Sequence, residues 1–148
     1  MRILGVDIGT VRLGFAISDP MGFTAQPLPT EEGGSAKRVS KAILQKVLER
    51  EKSEKDKIAT VIIGNPIHLN GKKSEMSEMA AECVRLLKEY FKQNLDREID
   101  IILKDERFSS VAAERAMLEA NLSRKKRKEI KDRVAAQLIL QNYLDTKQ

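Results

Sequence analysis

The chain has 148 residues, 41% of them hydrophobic and 33% charged. That suits one globular domain over 1–148 with a sizeable core, and it is too short for two full-sized domains. Lys and Arg number 27 against 22 Asp and Glu, a net charge of +5, so a polyanion-binding face has to come from local clustering rather than from the total. A single cysteine, Cys83, and a single histidine, His68, exclude an intramolecular disulfide and a cysteine-rich zinc site.

No apolar run approaches a membrane span, and the N-terminal one is too short for a signal peptide, so a cytoplasmic protein with no membrane partner is expected. That first run, Ile3 to Thr10, reads as a buried β-strand with Leu4, Val6 and Ile8 on one face. Ile3, Gly5 and Asp7 point the other way, so a carboxylate interrupts an apolar element, and Gly9 turns the chain directly afterwards. A buried charge without a partner costs several kcal/mol, so Asp7 calls for a hydrogen-bond partner, a cation or a metal. Satisfying the backbone of the turn is the plainer use for it.

Leu13 to Asp19 alternates large and small residues: Leu13, Phe15 and Ile17 on one face, Gly14, Ala16 and Ser18 on the other. With Gly5, this makes a sheet face kept low for a helix or ligand. After a turn at Pro20-Met21-Gly22, residues Phe23 to Leu28 are expected as an edge strand, given Pro27. Three strands this close predict an antiparallel meander. Thr30 to Ser35, with Gly33-Gly34, reads as a loop and as the most mobile segment.

Ala36 to Lys52 carries helical spacing through Val39, Ile43, Leu44, Val47 and Leu48. Ile58 to Gly64 is nearly continuous in apolar residues, as in a strand buried on both faces. A loop over Asn65 to Lys73 precedes a helix whose stripe is Met76, Met79, Ala80, Cys83, Leu87, Tyr90 and Phe91; Cys83 therefore reads as a core thiol rather than a reactive one. Ile99 to Leu103 is the last predicted strand, with Lys104-Asp105-Glu106-Arg107 at its end. Ser109 or Ser110 can cap a helix reaching Ala120, Asn121-Leu122-Ser123 breaks it, and a final helix runs to about Leu144. The order β-β-β-α-β-α-β-α-α predicts an α/β fold, a mixed sheet with helices on both faces.

In such sheets chemistry gathers at the carboxyl ends of the strands, where Asp7, Asp105 and Glu106 fall. Capping the next helix or pairing with Arg107 would also account for either later acid. On the final helix, Asp132 shares a face with Ala135, Ala136, Ile139 and Tyr143, and the two alanines let that helix press onto the low sheet face. A surface pairing with Lys128 or Lys131 is its plainer role. Three acidic loci with no sulfur suggest a hard-cation site, two Mg²⁺ or Mn²⁺ ions about 4 Å apart that assist an in-line phosphoryl displacement by water.

Charge placement points to the partner. Arg124-Lys125-Lys126-Arg127-Lys128, then Lys131 and Arg133, concentrate cations around the approach to Asp132. Such a run is often only a solvated helix face; beside a metal site it suits a nucleic-acid backbone. Lys72 and Lys73, following Asn70-Gly71, and Arg12 in the first hairpin are further candidate phosphate contacts, and Arg107 either joins them or orients Glu106. His68 is most simply a loop residue. Few aromatics are present, so single-strand base stacking is not advertised.

Taken in order, Ile3 to Thr10 with Gly14, Gly64-Asn65-Pro66 with Asn70-Gly71, Asp105-Glu106-Arg107, and Asp132 with Ala135-Ala136 and Ile139 to Leu144 resemble the bacterial YqgF (RuvX-like) family. This is a compact branch of the ribonuclease H-like superfamily, and the resemblance covers nearly the whole chain. It implies a five-stranded mixed sheet in the order 3-2-1-4-5 and divalent-metal phosphodiester hydrolysis. By motif position its catalytic, metal-holding acids fall on Asp7, Glu106 and Asp132, with Asp105 a further metal candidate. Phe108-Ser109-Ser110 departs slightly from the family's usual Leu-Thr-Thr or Leu-Ser-Thr.

Members of the family have been regarded as Holliday junction resolvases and as nucleases maturing the 5′ end of 16S ribosomal RNA precursor. The substrate expected here is precursor rRNA, with branched DNA as the alternative, for a monomer or a homodimer. Asp7-Ile8-Gly9-Thr10 also looks like the phosphate loop of sugar kinases and actin-like ATPases, which need a second comparable domain that 148 residues cannot supply. A nucleic-acid-binding module without catalysis is the third reading.

Overall fold

A computed structural model of the chain describes residues 1–9, 11–53, 57–65, 75–105 and 118–147; the side chains of 53, 65, 75, 76, 105 and 128–133 fall outside that description. Five strands, β1 (Arg2–Ile8), β2 (Arg12–Ser18), β3 (Ala25–Glu32), β4 (Ile58–Asn65) and β5 (Asp100–Asp105), form one sheet in the order β3-β2-β1-β4-β5. β1 runs antiparallel to β2 and parallel to β4, which is parallel to β5. The order and the mixed pairing are those expected from the sequence.

Alternation along β1 and β2 divides the core into two layers. Leu4, Val6 and Ile8 with Leu13 and Phe15 pack against Val39, Ile43 and Val47 of α1 (Ala36–Ser53) and Ala80, Cys83 and Leu87 of α2 (Glu75–Asn94). Cys83 is buried there, its thiol 3.6 Å from the Ala36 carbonyl, and burial pushes its pKa up. On the opposite face Ala16, Ala25 and Ile62 meet Ala136, Ile139, Leu140 and Leu144 of α3 (Arg124–Lys147). Among the described residues no helix is long and apolar enough to cross a membrane.

Several boundaries differ from expectation. The edge strand spans Ala25–Glu32 rather than Phe23–Leu28, so Thr30 to Glu32, read as loop, are strand residues. Leu13 pairs with Glu31 and Arg12 with Glu32. The reason lies in a residue far along the chain: the Lys46 ammonium is buried, 2.9 Å from the Glu31 carboxylate and 5.0 Å above the Phe15 ring. A buried ammonium needs an anion, and Glu31 meets that need only while its strand continues.

β4 reaches Asn65, and β5 runs through Lys104 and Asp105 instead of stopping at Leu103, because the ladder continues as Gly64↔Lys104 and Asn65↔Asp105. α3 extends to Lys147. The break before it is where the sequence put it: Asn121 adopts φ 57°, a left-handed conformation that asparagine tolerates, and its N–H donates to the Leu118 carbonyl. The rest of the helix expected from Ser109 lies outside the described residues, as does most of the 65–73 loop.

Candidate active site at the carboxyl ends of the strands

Asp7 is the next-to-last residue of β1 and stands opposite Gly14. Its face of the sheet follows from its neighbours two and four residues back. A Cβ on Gly5 would come within 2.8 Å of Leu140 Cβ and 3.2 Å of the Ala136 carbonyl, and Ile3 packs on the α3 side as well. Strand alternation therefore puts the half-buried Asp7 on the α3 face. Glycine at 5 and 14 and alanine at 16 keep this face low, which is why α3 approaches so closely.

The direction of α3 decides what else reaches Asp7. Two glutamines one turn apart hold the helix to the edge strand. Gln141 Oε1 accepts the Ala25 N–H at 2.9 Å, Gln141 Nε2 donates to the Phe23 carbonyl at 2.9 Å, and Gln137 Nε2 donates to the Ala25 carbonyl at 3.0 Å. Since Ala25 pairs with Ser18 and Leu4 with Ile17, these contacts lie at the N-terminal level of β1. The earlier turns of α3 thus lead toward the carboxyl end of β1. Asp132 belongs to those earlier turns, one turn before Ala136. Neither glutamine was singled out from the sequence; a polar pair spaced four apart on an otherwise apolar helix face is the signal that was there to find.

Asp105 closes β5. The registers Val6↔Ile63 and Ile63↔Leu103 make one row, and Asp105 lies two residues beyond it, across two strand spacings from β1. Lys104 is half-buried on the α3 side, with its Nζ 5.8 Å over the Tyr143 ring, and that burial lowers its pKa against the opposing pull of Asp145. Glu106, Arg107, Lys72, Lys73 and His68 lie outside the described residues, and Asp105, Lys128, Lys131 and Asp132 are described by backbone alone. Among the described residues no three acids or imidazoles gather to hold a metal. Carboxylates, the chemistry of the acids named from the sequence, suit a hard divalent cation rather than a soft one.

The basic run opens α3. Ser123 caps the helix, its Oγ accepting the Lys126 N–H at 3.2 Å and its carbonyl the Arg127 N–H at 2.8 Å. Arg124, Lys125 and Lys126 are exposed, and among the described residues none of Arg124 to Arg127 has an ion-pair partner. The first turn holds no acid at all. Cations at a helix N-terminus oppose the helix dipole, so this run works against the stability of its own helix. Arg12, exposed at the start of β2, is the other described cation candidate at this edge.

The strand order, with two helices on one face and α3 on the other, defines a ribonuclease H-like fold. Fowlpox virus resolvase, solved with its substrate Holliday junction DNA, shares it at 13% identity and TM-score 0.53, with 99% of each chain covered. So does T. thermophilus RuvC in complex with a Holliday junction substrate, at 14% identity and TM-score 0.50, over 99% of this chain and 95% of that one. At such identities the likeness is one of fold.

The profile of the RuvX family, described as "Holliday junction resolvase", matches residues 1–146, and the chain belongs to that family. A relative from Clostridium botulinum strain Hall, named "Putative pre-16S rRNA nuclease", is 46% identical over 147 residues, covering 99% of this chain and 98% of the relative. One of the same name from strain Alaska E43 is 43% identical, with 98% and 97% covered.

Proposed function

We propose that this chain is a divalent-metal-dependent nuclease, one domain over 1–148, that hydrolyses phosphodiester bonds in maturing the 5′ end of 16S rRNA precursor in the cytoplasm. The observation that supports this reading is the direction of α3: Ala136, Leu140 and Gln137 pack toward the N-terminal part of β1, so the earlier turns, which carry Asp132 in the chain, lead toward its carboxyl end, where Asp7 lies. The relatives' name, "Putative pre-16S rRNA nuclease", supports the choice of substrate.

In this reading Asp7, Glu106 and Asp132 hold two Mg²⁺ or Mn²⁺ ions, with Asp105 as a fourth candidate. Bound ions would polarise the scissile phosphate and lower the pKa of the attacking water. The protein's own part is positional. Asp7 sits on a strand between paired neighbours, which fixes its backbone. Arg124 to Lys128 and Lys131, together with Arg12, Lys72, Lys73 and Arg107, would grip the backbone on either side of the cut. The cations at the start of α3, without an ion-pair partner among the described residues, support this, because a phosphate removes the conflict they create with the helix dipole.

The test compares wild type with Asp7→Asn and Asp132→Asn on precursor RNA and on a synthetic four-way DNA junction, with and without Mg²⁺ or Mn²⁺. Metal-dependent cleavage that both variants lose while still binding RNA is the expected result. Undiminished cleavage by Asp7→Asn would overturn it. Junction resolution is the second reading, favoured by the family's description. It requires two symmetric cuts, so a dimer that cleaves the junction faster than the RNA would select it over an active monomer.

A further inference from the structure

A groove of about 460 Å³ opens where the β1–β2 hairpin meets the start of α1, lined by Arg12, Arg38, Glu31, Glu32, Gly33 and Gly34. Its floor is backbone. The Gly33 N–H donates to the Val11 carbonyl at 2.8 Å, and the Gly9 N–H to the Arg12 carbonyl at 2.9 Å. A Cβ on Gly33 would stand 3.3 Å from the Gly9 and Val11 carbonyl oxygens, and one on Gly34 (φ +145°) would stand 2.9 Å from Arg38 Cδ. A side chain at 34 would therefore press on Arg38, and one at 33 on the backbone floor.

The charges in the groove are unevenly matched. Glu31 is neutralised from behind by the buried Lys46, at 2.9 Å. Glu32 is taken by Arg38, Nη2 to Oε2 2.6 Å. Arg12 has no ion-pair partner among the described residues, so a positive charge is left over. The groove begins close to Asp7 along the first hairpin. Arg12 is two residues from Gly14, which faces Asp7 across the ladder, and that is about 6.7 Å along the strand, close to the span of one nucleotide.

We propose that Arg12 and Arg38 form a phosphate subsite for the nucleotide next to the scissile bond, and that Glu32 occupies Arg38 in the free protein and yields it when nucleic acid binds. The placement next to the scissile bond rests on the nuclease reading above; the anion-binding pair does not. A guanidinium forks onto a phosphate as it does onto a carboxylate, so the bound phosphate replaces the Glu32 carboxylate and Arg38 stays paired throughout. Glu32 then acts as a competitor whose removal strengthens binding.

The experiment measures binding of a fluorescent single-stranded RNA oligonucleotide in Ca²⁺, as a function of KCl, for wild type, Glu32→Gln, Arg38→Gln and the double variant. Arg38→Gln is expected to weaken binding about tenfold and to make the slope of log K on log salt shallower by ~0.7. Glu32→Gln is expected to tighten binding several-fold when Arg38 is present and to do nothing in its absence. Exposed ion pairs contribute little to stability, so all three variants should unfold near the wild-type temperature. The subsite is overturned if Arg38→Gln leaves affinity and salt slope unchanged, or if Glu32→Gln acts equally with and without Arg38. Cleavage separates the two claims. Arg38-dependent binding in a protein that cuts nothing keeps the subsite and removes the nuclease; Asp7-dependent cleavage indifferent to both variants does the reverse.

Discussion

Gly5 of β1 and Leu140 of α3 are packed so closely that a methyl group on Gly5 would lie 2.8 Å from Leu140 Cβ. This contact sets the height of α3 above the sheet. The atom in the way is a Cβ bound directly to the helix backbone, so the helix itself has to move to relieve a clash. Gly5→Ala is expected to lower stability by about 1–3 kcal/mol, the usual cost of overpacking, read as a lower urea midpoint at unchanged m-value. The same substitution should reduce nuclease activity beyond its effect on folding. Leu140→Ala leaves the Cβ in place and so is expected to rescue little of either loss.

The basic opening of α3 leads to two effects of opposite sign. Lys125→Glu puts an acid in the first turn, where the dipole favours it, and should stabilise the protein by about 0.3–1 kcal/mol. RNA binding should weaken, with a salt slope shallower by ~0.7 for each phosphate no longer neutralised. Thermal unfolding and a salt titration of binding check the pair of effects. A run kept for helix stability would show the stabilities the other way round.

Gln141→Ala removes the partners of the Ala25 N–H, on the sheet's edge strand, and of the Phe23 carbonyl just before it. A net loss of about 1 kcal/mol is expected, the usual worth of such hydrogen bonds, measured by denaturant unfolding. Amide exchange at Ala25 should accelerate while exchange at Val6, in the middle of the sheet, stays unaltered.

Asp19 organises the turn between β2 and β3. Its carboxylate accepts the N–H groups of Phe23 and Thr24 at 2.7 Å and of Met21 at 3.2 Å. The hydrogen bond from the Thr24 N–H leads in holding its pKa below the ordinary 3.8; desolvation opposes it, and the hydrogen bonds from Phe23 and Met21 add to the lowering. A depressed carboxyl pKa means stability that is fully present above the unfolded value and is lost as pH falls through the folded one. Asp19→Asn should therefore lower the melting temperature near neutral pH and flatten its fall below about pH 4. Melting curves across that range test it.

The elements themselves were legible because their patterns are local. Alternation at Leu4, Val6 and Ile8, the small residues at Gly5, Gly14 and Ala16, and the helical stripe through Cys83 each declare a face within a dozen residues. Asn121 declares a break through its tolerance of positive φ. Misplaced boundaries share one cause, a partner distant in sequence: Glu31 stays in β3 for Lys46, and Asp105 stays in β5 because Asn65 continues the ladder. Arg38 went unremarked for the same reason, since a lone cation in a helix says nothing until a groove forms beside it.

By itself, then, the sequence determined the strands, the helices, the two sheet faces and the identity of the acids, all of which follow from side-chain periodicity and chemical type. Tertiary structure alone decided which end of α3 lies over the carboxyl end of β1. Nothing periodic within the helix records that direction. It depends on Gln141 and Gln137 reaching Ala25, 116 and 112 residues away, and on a glycine in β1 leaving room for the helix to settle.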